Sequence, residues 1–170
     1  YLKDENKLIR IDDLEKQVSV ELLQLQRLLD RRQALISSII KRDPTDIELD
    51  ALGAFLHAMY NGVELTLRCV ARGTGREVPD GSDSHRRLLK SMTSNPRVLS
   101  DVLTKRLGEY LSFRHVFRHA YTYNLSWPKM VDLVLQAPDV LTEFQRDVSE
   151  FVSSISETSV SNLIKQDTKH

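Results

Sequence analysis

Residues 43–75 read DPTDIELDALGAFLHAMYNGVELTLRCVARGTG. Leu49, Leu52, Leu56, Met59, Val63, Leu67 and Val70 recur at steps of three and four. That period is the apolar stripe of an α-helix, not the alternation of a strand. Asp43 is the expected N-cap and Pro44 the first helical residue, since proline has no N–H to leave unpaired there. Asp46 and Glu48 then sit near the positive end of the helix dipole. The GTG at 73–75 ends the helix. Gly53 and Gly62 lie inside it. Each costs about 1 kcal/mol against alanine in an exposed helix interior, so a second helix is expected to pack closely there.

The same period extends in both directions. Upstream, from about Asp4 to Lys41, Ile11, Leu14, Val18, Leu22, Leu25, Leu29, Ile36 and Ile39 or Ile40 mark one long amphipathic helix. Downstream, the Gly-, Pro- and Asp-rich residues 73–83 form a loop. Ser82 or Asp83 then caps a short helix with Leu88, Leu89 and Met92 inward. Asn95-Pro96 is a second start signal. It opens a helix to about Tyr123 through Val98, Leu99, Val102, Leu103, Leu107, Tyr110 and Leu111. Ser126-Trp127-Pro128 opens another, which Pro138 is expected to break or kink. Val140, Leu141, Phe144, Val148 and Phe151 carry the last helix, and the Ser/Thr-rich end from Glu157 is expected to fray. Strand signals are nearly absent. The expected fold class is all-α, an antiparallel bundle of five to six helices, with one domain over residues 1–156 and a frayed tail over 157–170.

Composition sets limits on function. The chain has 170 residues, 41% hydrophobic and 28% charged, ordinary for a globular domain. No apolar run reaches a membrane-spanning length, so no membrane association is expected. The opening YLKDENK is charged and lacks the apolar core of a signal peptide. The single Cys69 rules out an intramolecular disulfide and fits a reducing cytoplasm. Net charge is zero, with 24 Lys and Arg against 24 Asp and Glu. It is unevenly spread. Residues 85–130 hold nine Lys or Arg and two acids, a local +7, together with three of the five histidines. A neutral total argues against bulk nucleic-acid binding, but a confined basic segment permits a phosphate site.

That segment contains FRHVFRHAYTY at 113–123. His115 and His119 are spaced i, i+4 on one helix face, which is metal-ligand geometry. The metalloprotease pattern needs Glu after the first His, and Val116 stands there. A structural site would need more Cys or His nearby. No metal and no cofactor is expected. Arg114 and Arg118 share another face with Tyr121, and His119 lies roughly 140° around from Arg114. The two meet on one phosphate only if the helix unwinds near its end or if a second copy supplies the missing group across a two-fold axis. An Arg fork holds phosphate in paired hydrogen bonds, and a histidine titrating near neutrality moves protons. Together they suffice for metal-free RNA cleavage. The plain alternative is a helix end that caps its own carbonyls and pairs with acids such as Glu64 or Asp132.

Arg114-x4-His119-x-Tyr121 resembles the signature of HEPN ribonucleases, in particular HepT-type toxins of bacterial toxin–antitoxin pairs. The likeness extends over residues 45–145. It includes the whole string at 113–121, the stretch at 107–111, FLHAMYNGVE at 55–64 and HRRLL at 85–89. The resemblance implies a HEPN-like helical bundle that forms a homodimer and cuts RNA without metal. Arg114 and His119 match the two motif positions, and antisymmetric pairing would bring one chain's Arg to the other's His. Tyr121 matches the tyrosine that a cognate nucleotidyltransferase antitoxin, of the MntA type, modifies with AMP. His115 and Arg118 are expected to contact RNA or support the motif. Many such motifs carry a polar residue before the Arg; here Phe113 follows Ser112. An orienting partner must come from elsewhere, and Glu64 is the expected one. The alternative within the family is a non-catalytic helical module that pairs with a nucleotidyltransferase.

Overall fold

Thr45 starts the helix that the sequence places most firmly. In the computed structural model, which describes residues 2–119 and 125–167 (side chains at 10–119, 125–159 and 161), α2 spans Asp46–Gly73. Thr45 and Glu48 form a capping box: Glu48 N–H donates to Thr45 Oγ1 at 3.3 Å, and Thr45 N–H donates to Glu48 Oε2 at 2.9 Å. Two orphan backbone donors are satisfied at once, which Asp43 alone would not do. The N-cap is therefore Thr45 rather than Asp43, and Pro44 precedes the helix. Arg42 closes on Glu48 with two bonds of 2.7 Å. That fork, with the Thr45 amide behind it, pulls the Glu48 carboxyl down to about 2.

The remaining elements are α1 (Leu2–Ser38), α3 (Ser84–Ser91), α4 (Asp101–His119) and α5 (Trp127–Asp167). The described residues form an all-α bundle of five helices. α1 packs on α2 and α5, α4 on α2 and α5, and α3 against α2 and α4. Leu25 of α1 lies over Gly62, and Leu14 lies over Gly73, so α1 and α2 run antiparallel. A Cβ at Gly62 would come within 2.6 Å of Leu25 Cδ2. α4 returns antiparallel along α2, with Phe117 seated on Gly53. Its register on α5 is fixed by Tyr110, whose hydroxyl donates to the Leu133 carbonyl at 2.7 Å, and by Arg106 with Glu143 at 3.0 Å. The expected apolar stripes of α1 to α3 are in the core, with Leu22 and Leu49 packed at its edge.

Two further elements differ from expectation. α4 begins at Asp101, not at Asn95-Pro96. Ser100 supplies its start: Ser100 Oγ accepts the Leu103 N–H at 3.1 Å while the Ser100 N–H donates to Asp147. Val98 and Leu99 are buried from the preceding turn, so a helical stripe counted from them is out of phase, and Val102 is 70% exposed. α5 runs through Pro138 without a break. The lost backbone bond costs about 3 kcal/mol. Val134, Ala137, Val140, Leu141, Phe144 and Val148 are all fully buried along the same helix, and a buried Val, Leu or Phe contributes about 1.5–3 kcal/mol each. α5 also continues past Glu157 to Asp167. Around that point Ser154, Thr158 and Ser159 return their hydroxyls to carbonyls one turn back. Among the described residues, no helix is long and apolar enough to cross a membrane.

Candidate functional site

The end of α4 is held in place by aromatic rings. Phe113 and Phe117, one turn apart, stack at 5.8 Å, and Phe117 lies 5.1 Å from the His57 ring of α2. The missing Cβ of Gly53 makes the notch that Phe117 enters. With that register fixed, Arg114 falls opposite Asn61, and its Nε–H donates to Asn61 Oδ1 at 2.5 Å. The other end of the same amide, Nδ2, is 3.1 Å from His57 Nε2. An amide nitrogen only donates, so His57 Nε2 must accept and carry no proton. His57 Nδ1 is buried with no partner among the described residues. Burial, then the charges of Arg114 and Arg118, hold this imidazole below its ordinary value. His57 is a neutral ring that fixes Asn61, and Asn61 fixes Arg114. Arg114 binds Asn61 through Nε alone, and its two terminal nitrogens have no hydrogen bond to any described residue.

The opposite face of α4 is exposed. His119 Nδ1 lies 2.8 Å from the His115 carbonyl oxygen. A carbonyl only accepts, so Nδ1 carries the proton and Nε2 of the neutral ring holds the free lone pair. The two imidazoles sit 5.0 Å apart. Arg118 and His119 occupy the last turn, where positive charge offsets the helix dipole. α4 is helical through His119, so no unwinding turns His119 toward Arg114, and roughly 140° separates them around the axis. The structure thus brings Arg114 together with Asn61, His57 and Phe117, and His119 with His115. It does not bring Arg114 to His119 within one chain. Tyr121 and Tyr123 lie outside the described residues.

The paired arginines all lie outside this cluster. Arg42, Arg68, Arg87, Arg97, Arg106 and Arg146 each pair with a carboxylate. Among the described residues, Arg114, His115, Arg118 and His119 have none within ion-pair distance, neither Glu64 nor Asp132. A family model described as HepT-like protein matches residues 51–155, from the first turns of α2 into α5. The chain belongs to the HepT-like family, a branch of the HEPN proteins. No curated protein and no solved structure matches it.

The HepT-like match takes in Asn61, Glu64, Arg114 and His119. Glu64 is not the partner of Arg114. It is 8% exposed and lies between His85 Nδ1 at 2.6 Å and Arg68 at 3.1 Å, tying α2 to α3. Asn61, one turn earlier, takes the orienting place, because the Phe117–Gly53 register sets which α2 residue meets Arg114. The signal in the sequence was the polar stripe His57, Asn61, Glu64 and Arg68 along one side of α2. Such a stripe on a buried face demands partners. Tyr60, beside it, is a core residue whose hydroxyl is pushed up by burial and by Glu64. Cys69 is half-buried, and burial raises its thiol, so it stays protonated and inert. Trp127 opens α5 and packs against the core.

Proposed function

We propose that this HepT-like protein is a metal-independent endoribonuclease whose site is completed by a second copy, with Arg114 from one chain and His119 from the other. The observation that carries the reading is the uncompensated cluster at the end of α4, prepared on one face as a phosphate fork and on the other as a base. In the cleft, His119 Nε2 takes the proton of a ribose 2′-hydroxyl. The 2′-oxygen attacks the adjacent phosphorus, and the bond to the 5′-oxygen breaks as that oxygen receives a proton from water. A 2′,3′-cyclic phosphate and a free 5′-hydroxyl result. The terminal nitrogens of Arg114, with Arg118 beside them, stabilise the charge that builds on the phosphoryl oxygens. His115 and Arg118 contact the flanking phosphates. An exposed strand suits so small a cleft better than a duplex does.

Control is proposed to come from a nucleotidyltransferase antitoxin that adds AMP to Tyr121. A nucleotide there, two residues past His119, brings bulk and negative charge that compete with RNA for Arg114 and Arg118. A second reading, a non-catalytic module that only binds the nucleotidyltransferase, is favoured by the half-buried Arg114 and by Phe113 in the place of a polar residue. One experiment separates them. Purified protein incubated with total RNA in EDTA is expected to cleave it. His119→Ala and Arg114→Ala are each expected to lose at least about a hundredfold in rate. Intact RNA after incubation with the unmodified protein would leave the binding module.

A further inference from the structure

Away from the α4 end, the loop after α2, the helix α3 and the turn that follows it enclose an open groove of about 610 Å³, lined by Thr74, Arg76, Glu77, Arg87, Lys90 and Ser94 among others. Three cations face one acid. Arg76 is part of the wall: its guanidinium donates to the Ser91 carbonyl at 3.0 Å and to the Pro96 carbonyl, and stacks 5.7 Å over Phe151. Arg87 and Lys90, one turn apart on α3, are exposed. Arg87 reaches Glu77 at 3.2 Å, but both side chains are more than half in solvent. A pair so exposed adds little to stability, so it does not hold the fold and yields readily to a stronger anion. Lys90 has no ion-pair partner among the described residues.

The groove and the α4 end are joined by α2. His57, Asn61, Glu64 and Arg68 fall on one stripe of that helix. Arg114 is bonded to Asn61 at one end of the stripe. α3 lies along its other end: His85 at the start of α3 bonds Glu64, and Ser91 at its close receives Arg76. From Asn61 to Thr74 the helix rises about 20 Å, the length of several nucleotides of extended strand. The exposed Ser94 adds a hydroxyl beside the cations of the groove. Such a lining suits a phosphodiester backbone followed without regard to base.

We propose that the groove between α3 and the α2–α3 loop is a second phosphate-binding site, which holds the backbone of an RNA strand whose scissile phosphate lies at Arg114. It rests on the reading of the α4 end as an RNA-cleaving site and extends that reading to where the strand runs. Arg87 and Lys90 hold phosphates, and Glu77 weakens the hold by occupying Arg87.

The probe is a short fluorescein-labelled oligouridylate, with His119→Ala protein as the non-cleaving host, followed by anisotropy at several salt concentrations. Adding Arg87→Glu and Lys90→Glu is expected to weaken binding at least about tenfold and to flatten the salt dependence by about 1.4 in log–log slope. Glu77→Gln, a neutral change on an exposed residue, is expected to tighten binding about two- to threefold. Unchanged affinity in both variants, or a salt slope that does not move, overturns the groove. Should the double charge reversal fail to fold, the Glu77→Gln arm decides alone. The nuclease reading fails separately, by intact RNA in EDTA with the unsubstituted protein. Cleavage with unchanged oligouridylate binding sinks only the groove.

Discussion

At the scale of single residues, the α4 end is organised by Asn61. Its amide joins a half-buried neutral imidazole to a guanidinium, and each end uses the one polarity available to it. Asn61→Ala leaves Arg114 Nε and His57 Nε2 unpaired. The expected cost is about 1–3 kcal/mol of folding stability, read from urea denaturation, and a tenfold to hundredfold fall in RNA cleavage as the guanidinium loses its aim. The pH dependence follows from His57. Its folded pKa lies below the ordinary 6.5, so folding favours the neutral ring. That contribution is complete above about pH 6.5 and is lost as pH falls through the folded value. In an NMR titration, His57 is expected to titrate below 6.5, and above its original position in Asn61→Asp, where a carboxylate replaces the donor amide. A downward shift in that variant would contradict the chain from Arg114 to His57. Arg114 and His119 were legible from their spacing and from the family likeness. That Asn61 rather than Glu64 meets Arg114 was not, because the α2 residue opposite Arg114 depends on a register between helices far apart in sequence.

At the scale of elements, that register comes from Gly53. A Cβ there would stand 2.7 Å from Leu125 Cδ1 and 3.0 Å from Phe117 Cε2. Gly53→Ala gains about 1 kcal/mol of helix propensity against an overpacking cost of about 1–3 kcal/mol. The net loss of stability is about 0–2 kcal/mol. Cleavage is expected to fall further than that loss accounts for, because Phe117 carries Arg114 with it. Full activity in a folded Gly53→Ala protein would show that the notch does not position the site. The stripes and the two inner glycines of α2 were readable because helix period and close approach are local signals. The starts of α2 and α4 were misplaced by proline. Pro44 and Pro96 are valid start signals, but Thr45 with Glu48 and Ser100 with Leu103 satisfy more backbone donors. Pro138 misled for the converse reason: tertiary burial along α5 outweighs one missing hydrogen bond.

At the scale of the whole molecule, a neutral chain presents an uncompensated basic helix end whose two motif residues face different ways. Period and capping in the sequence are enough for the all-α bundle. They carry no information on how two copies meet, since that depends on surfaces and not on stripes. The most direct test mixes two inactive proteins. Arg114→Ala retains His119, and His119→Ala retains Arg114, so a mixed dimer contains one intact composite site. Equal amounts, allowed to exchange subunits, would form half mixed dimers with one working site of two, restoring about a quarter of the unsubstituted RNA cleavage. If each variant is inactive alone and the mixture stays inactive after demonstrated subunit exchange, the shared site is contradicted.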